Sequence, residues 1–343
     1  MSDCPSDTPA RSRSRRRFLR RRAAALPLAL ATLALLALIV TEIVGAATQR
    51  LVWESQRSRH DELRREAFSA LEASLGVLAA FLRADGALYA PAQGWAEPLK
   101  LAGYEAPAGF RVEVAVTDES GRFSIPALCN DTYQLRRYFQ DLGTDESTAA
   151  SLADCLADWT DAGDGIRTNG AEAESYPEGV APPNRPLQSL DELRLVKGFE
   201  EVFFDAKGGG NELWERLVGS VTLIGASPAP NINTAPLPVL EVLAARHSFD
   251  PESVLALRDG ENAATGSTGS VLRNASDLGQ RGLPVAISAS VTFVCARLRV
   301  VATVTRGDAV LVLDTLIEPV SGAGVNAFPF TILQQRVNAR LQE

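Results

Sequence analysis

The sequence predicts an α+β protein in which a long N-terminal helix leads into an antiparallel sheet interrupted by a large all-α insertion. Three observations predict it. An apolar run at 23–40 follows an arginine block and passes directly into a stretch of helical periodicity. Alternating apolar and polar residues at 110–116 mark a strand early in the chain, and further strands return only after residue 285. Between those strands nearly every periodic segment is helical.

The N-terminus comes first. Residues 1–22 hold eight Arg against Asp3 and Asp7, a net of about +6, so the chain's formal −8 leaves about −14 for the rest. A body that acidic repels phosphate backbones, which argues against nucleic acid as its main ligand. The run AAALPLALATLALLALIV at 23–40 carries no charge, and its one polar residue is Thr32. At about 1.5 Å per residue it barely spans a hydrocarbon core of about 30 Å, and residues 43–47 extend it beyond Glu42. Arginine on the N-terminal flank puts that side in the cytoplasm and the bulk of the chain outside it. Two other export readings use the same residues. A cleaved secretory signal could end at Gly45-Ala46-Ala47, and Ser14-Arg15-Arg16-Arg17-Phe18-Leu19-Arg20 resembles a twin-arginine signal. A retained anchor is preferred, because the apolar run continues without a turn signal into residues 48–83.

In 51–83, Leu63, Phe68, Leu71, Leu75 and Leu78 recur at helical spacing, and Asp85-Gly86 ends the helix. Anchor and periodic stretch together make one helix of about 60 residues, roughly 90 Å long. Residues 110–116 form a half-buried strand, Asp118-Glu119-Ser120-Gly121 a turn, and 122–125 the returning strand of a hairpin. Helices follow at 133–142, 147–160, 189–195, 212–221, 237–247 and 251–258, around an acidic, glycine- and proline-rich loop at 161–185. Strands are expected at 287–297, 298–306 and 309–317, the last two joined by the turn Arg306-Gly307-Asp308, with a short closing helix at 331–341. Two strands alone make a marginal hairpin, so the early and late strands should share one sheet. The domains read as a leader at 1–22, an anchor at 23–47, an α+β domain at 48–126 and 285–343, and the insertion at 127–284.

Enzyme signatures are lacking. His60 and His247 have no HExxH spacing, no G-x-S-x-G elbow occurs, and Lys100, Lys197 and Lys207 sit in no P-loop. Cys4, Cys129, Cys155 and Cys295 are too few for a disulfide framework. Cys129 and Cys155 could pair in an oxidising compartment, or remain buried thiols. Asp158, Asp161, Asp164, Glu172 and Glu174 surround a loop with Gly163, Gly165 and Gly170. Such a loop is either a solvated acidic surface or a set of hard oxygen ligands suited to calcium. Thr234 fits an N-cap with Pro236 in the first turn after it, and Ser189 with Glu192 fits a capping box.

Four segments in order resemble one family, the minor pseudopilin K of type II secretion, also called general secretion pathway protein K. They are Asp118-Glu119-Ser120-Gly121-Arg122; Asp158-Trp159-Thr160-Asp161 with Gly170-Ala171-Glu172; Asn184-Arg185-Pro186-Leu187 leading to Glu192-Leu193-Arg194-Leu195-Val196-Lys197-Gly198; and Asn231-Ile232-Asn233-Thr234-Ala235-Pro236. The resemblance implies a pilin-like domain with an inserted helical domain of helix-hairpin-helix/SAM-like type, held in the inner membrane by a single span with the bulk periplasmic. It implies other minor pseudopilins, of the I and J type, and the pseudopilus as partners, and calcium at the five carboxylates. It also implies cleavage between Ala23 and Ala24 by prepilin peptidase, with methylation of the new terminus, although family members usually carry Gly where Ala23 stands. Leu28 then becomes the fifth residue, where ordinary pilin-like subunits carry a recruiting glutamate. Residues 231–245 also resemble helix-hairpin-helix modules of competence-type DNA-binding proteins, which gives the alternative reading.

Overall fold

In the computed structural model, the structure describes residues 13–225, 227–259, 271–320, 322 and 327–341. The helices are α1 (Arg13–Asp85), α2 (Pro98–Leu101), α3 (Ile125–Leu128), α4 (Thr132–Leu142), α5 (Glu146–Thr160), α6 (Phe199–Phe203), α7 (Glu212–Ser220), α8 (Leu237–His247), α9 (Pro251–Asp259) and α10 (Ala275–Gln280). The strands are β1 (Arg111–Asp118), β2 (Phe123–Ser124), β3 (Val221–Thr222), β4 (Leu298–Arg306), β5 (Ala309–Pro319) and β6 (Phe330–Leu341). The chain divides into two units, Met1–Glu62 and Leu63–Glu343.

In the first unit the described chain is helical from Arg13. Within it Pro27–Arg50 has a mean hydropathy of 2.3 and none of it is buried. This segment is long and apolar enough to cross a membrane.

The second unit is built on α1 from Leu63 onward. Leu63, Ala67, Ala70, Leu71, Leu75 and Leu78 recur at three- and four-residue steps, so they form one stripe, and all are buried. That stripe packs with Leu298, Val300, Ala302 and Val304 of β4 and with Leu311, Leu313 and Ile317 of β5. Alternation in the strands aims those residues at one face. Gly86, at φ 76°, closes α1 in a conformation that a side chain would resist.

The four-stranded sheet runs β1-β4-β5-β6, antiparallel throughout. Early and late strands therefore share one sheet, as expected, and everything between β1 and β4 is inserted. The insertion carries a second core in which Phe139 of α4 meets Phe199 and Phe203 of α6 in tilted and edge-on ring contacts.

Three local expectations are corrected. Residues 122–125 do not return against β1. Asp118 accepts from the Ser120 N–H, which tightens 119–121 into a 3-10 turn, and β4 takes the place beside β1. Phe123–Ser124 instead pair in parallel with Val221–Thr222. Residues 287–297 are not a strand. Pro284 leads into a 3-10 turn at Val285–Ala289, and the following residues are held by the 230–232 loop, with Thr292 N–H donating to Pro230 O and Ile232 N–H to Thr292 O. The expected closing helix is β6, because the open edge of β5 offers a full ladder of partners that outweighs the helical leaning of its Gln and Arg residues.

Candidate functional site

Three groups of sequence-selected residues can be placed. The first lies in the N-terminal helix. Ala23 and Ala24 fall inside α1, and Leu28 is 68% exposed at the start of the apolar run.

The second is the acidic loop after α5. Asp158 is fully buried on the last turn of that helix. Its Oδ1 accepts from Arg167 Nη1, and its Oδ2 accepts from the N–H groups of Arg167 (3.2 Å) and Ala171 (3.0 Å). Arg167 Nη1 also donates to Asp161 Oδ2 at 2.5 Å, so one guanidinium is shared by the two carboxylates. A Cβ on Gly170 would stand 1.8 Å from Asp158 Oδ2, so the loop can fold over that carboxylate only with glycine there.

Asp161 Oδ1 accepts from Gly163 N–H, and Asp164 accepts from Asn184 Nδ2 at 3.3 Å. Glu174 is exposed. Glu172 is buried, and its Oε1 has no hydrogen-bond partner. Burial, and then the charges of Asp158, Asp161 and Asp164, push the Glu172 carboxyl above its ordinary range. Among the described residues no three His, Cys, Asp or Glu converge closely enough to hold a metal ion. The donors are all oxygen and one is orphaned, which is the right chemistry for a hard cation. In this arrangement, however, Arg167 supplies the positive charge.

The same region gathers the 184–198 segment. Glu192 accepts from Trp159 Nε1 (3.1 Å), Arg185 Nη1 (3.2 Å) and Gln188 N–H (3.0 Å). Burial would raise this carboxyl, but the four donated and coulombic contributions prevail and hold it below its ordinary range. The expected capping box is therefore altered. Ser189 does accept from Asp191 N–H at the start of a 3-10 helix, Leu190–Leu195, but Glu192 reaches back to Gln188. Cys129 and Cys155 are free thiols, and Cys155 Sγ donates to Asn169 O.

The third group comes from two separate stretches of the sequence, 118–121 and 231–236, which the structure joins. Asp118 Oδ1 accepts from Ser120 N–H and Oγ, while its Oδ2 accepts from Asn231 Nδ2 (2.8 Å) and Thr234 Oγ1 (2.6 Å). Ser120 Oγ in turn accepts from Ala296 and Arg297 N–H at the entrance to β4. Asn233 donates to Leu272 O and Phe293 O. Thr234 is thus not a helix cap, since its hydroxyl is used on Asp118 and the N-cap position of α8 is Pro236. Gly121 belongs to the same joint, because a Cβ there would stand 2.7 Å from Thr234 O. No sequence signal paired these segments, which lie more than a hundred residues apart.

This geometry also bears on the DNA-binding alternative. Asn231 and Asn233 are buried and spent on internal bonds, and Arg246 at the end of α8 is paired with Asp141. Among the described residues of this segment nothing offers a phosphate backbone a basic stripe, and that alternative is set aside.

Taken together, these features define an α+β protein with an N-terminal apolar helix, an antiparallel sheet on the helix and a helical insertion between its first two paired strands. Comparison with known proteins leads to the family that the sequence motifs resemble. Residues 121–206 match the family model "Type II secretion system (T2SS), protein K". Over 170 residues the chain is 30% identical to the type II secretion system protein K of Pseudomonas aeruginosa, an alignment covering 46% of each chain. The aligned part thus spans about half the length of that relative. Among solved structures, the chain is similar in fold to a component of the GspK-GspI-GspJ complex from the type 2 secretion system of enterotoxigenic Escherichia coli. That match has a TM-score of 0.51 and 17% identity, and it covers 82% of this chain and 99% of the other.

Proposed function

We propose that this protein is a minor pseudopilin of the type II secretion pathway. On this reading it sits at the tip of the periplasmic pseudopilus and helps initiate its assembly for export across the outer membrane. The observation that carries the reading is the position of the insertion, between β1 and β4 of a sheet packed on the C-terminal half of α1, with the protein K match lying inside it. The partners are the I- and J-type minor pseudopilins, and the role is assembly rather than catalysis.

Residues 27–50 would anchor the chain in the inner membrane, with the arginine-rich side in the cytoplasm. Prepilin peptidase would cut after Ala23 and make Leu28 the fifth residue. An apolar side chain there brings no carboxylate to pair with a neighbour's terminal ammonium. A buried ammonium without such a partner is costly, so this subunit is suited to start a filament rather than extend one. Intact-mass analysis of the membrane-extracted protein tests this. A chain beginning at Ala24 that co-purifies with I- and J-type subunits is expected, and a chain beginning near Ala47 overturns the reading.

Calcium belongs to the same proposal. Asp161, Asp164 and Glu172, with Glu174 nearby in sequence, do not converge in this arrangement and would hold it only once Asp161 leaves Arg167 and the loop draws them together, while Asp158 would stay with Arg167 and the loop amides. Bound calcium would supply the positive charge that Glu172 lacks. Thermal unfolding of the detergent-solubilised protein in calcium and in chelator is the test. A calcium-dependent rise in Tm, absent in Asp161→Ala and Glu172→Gln, is expected. An equal Tm in both conditions removes calcium from the reading.

A further inference from the structure

We infer that Pro27 is a positioning residue for leader cleavage, acting by leaving the carbonyl of the scissile bond without its helical partner. The inference rests on the proposed cut between Ala23 and Ala24. In α1, which begins at Arg13, Pro27 is the one proline inside the helix. In an α-helix the carbonyl of residue i accepts from the N–H of residue i+4. The residue four beyond Ala23 is Pro27, which has no N–H and whose ring crowds that same carbonyl. Proline also disfavours helical geometry at the residue before it, Leu26, so the turn 23–26 is the weakest of the run.

The carbonyl in question is the one a peptidase must attack. Hydrolysis adds water across the Ala23–Ala24 bond: the C–N bond breaks, a C–O bond forms to the water oxygen, and both protons of that water pass to the amine. A carboxylate remains on Ala23 and an ammonium on Ala24. A protease needs that carbonyl oxygen free for its own donors and the flanking backbone extended. A regular helix denies it both. Pro27 removes the bond that would hold the oxygen, at this residue and no other. After cleavage Pro27 is the fourth residue of a new N-terminus, where helical N–H groups have no partner in any case, so the defect disappears with the leader. The proline is therefore disruptive only in the uncut chain.

The test follows cleavage of the detergent-solubilised full-length chain by prepilin peptidase, read by intact mass over time. The variants are Pro27→Ala, which restores the bond, and Pro27→Ala with Leu28→Pro, which moves the missing bond to the Ala24 carbonyl. Both should be cut after Ala23 about tenfold more slowly than the parent, the worth of one helical hydrogen bond. Equal rates for parent and Pro27→Ala overturn this inference while leaving the processing site in place. A double variant as fast as the parent also overturns it, because a general loosening of the helix would then suffice. A parent chain that is never cut after Ala23 overturns the processing reading itself, and this inference with it.

Discussion

At the scale of single residues, the features of the acidic loop that govern folding are a glycine and a carboxylate whose roles follow from distance. Gly165→Ala meets nothing within 4 Å, whereas Gly170→Ala drives a methyl group into the Asp158 carboxylate. The second substitution should lower stability by about 1–3 kcal/mol and the first by much less, measured as a difference in thermal unfolding. Glu192 gives a pH signature. Its folded carboxyl ionises more readily than an ordinary glutamate, so its contribution is present above the unfolded value and is lost as pH falls through the lowered folded value. Parent and Glu192→Gln should therefore differ most near neutrality and begin to converge only as pH falls below the ordinary glutamate value of about 4.3. A gap that persists unchanged in acid would show that the substitution acts through shape and not charge. The identity of these residues was visible in the sequence as acids and glycines. That Arg167 would serve as their counter-ion was not, because nothing in a spacing pattern says which way a loop folds back.

At the scale of elements, α1 was readable from its stripe and its terminator, while β6 was misread. The difference is physical. A helix closes its own backbone bonds, so periodicity alone declares it. An edge strand depends on a neighbour for every bond, and its residues here, with Leu, Gln and Arg among them, lean toward helix when judged alone. Leu78 ends the stripe and is fully buried in the core it forms with the sheet. Leu78→Ala should cost about 2–5 kcal/mol, read as a lower denaturation midpoint with little change in slope. The exposed Leu28→Ala should leave the stability of the folded unit unchanged.

At the scale of the whole molecule, the joint at Asp118 links the sheet to the insertion. Asp118 is raised above its ordinary range by burial, against the pull of four donated bonds, and it tolerates burial because Ser120, Asn231 and Thr234 surround it. Asn231→Ala should destabilise by about 1–3 kcal/mol, and Asp118→Ala by a similar amount. Their combination should cost clearly less than the sum, a coupling read from a double-mutant cycle in thermal unfolding. Additive losses would mean that the two segments hold their places independently. What the sequence determined by itself is local and self-satisfied: the apolar helix with its arginine flank, the buried stripe, the alternating strands, the order of the four motifs. Tertiary structure alone decided which strand lies beside β1, that the last segment is a strand, that Arg167 pairs with both Asp158 and Asp161, and that Asn231 and Thr234 close on Asp118. Each of those outcomes depends on groups far apart in the chain competing for one partner, and the winner is set by packing, which no local pattern contains.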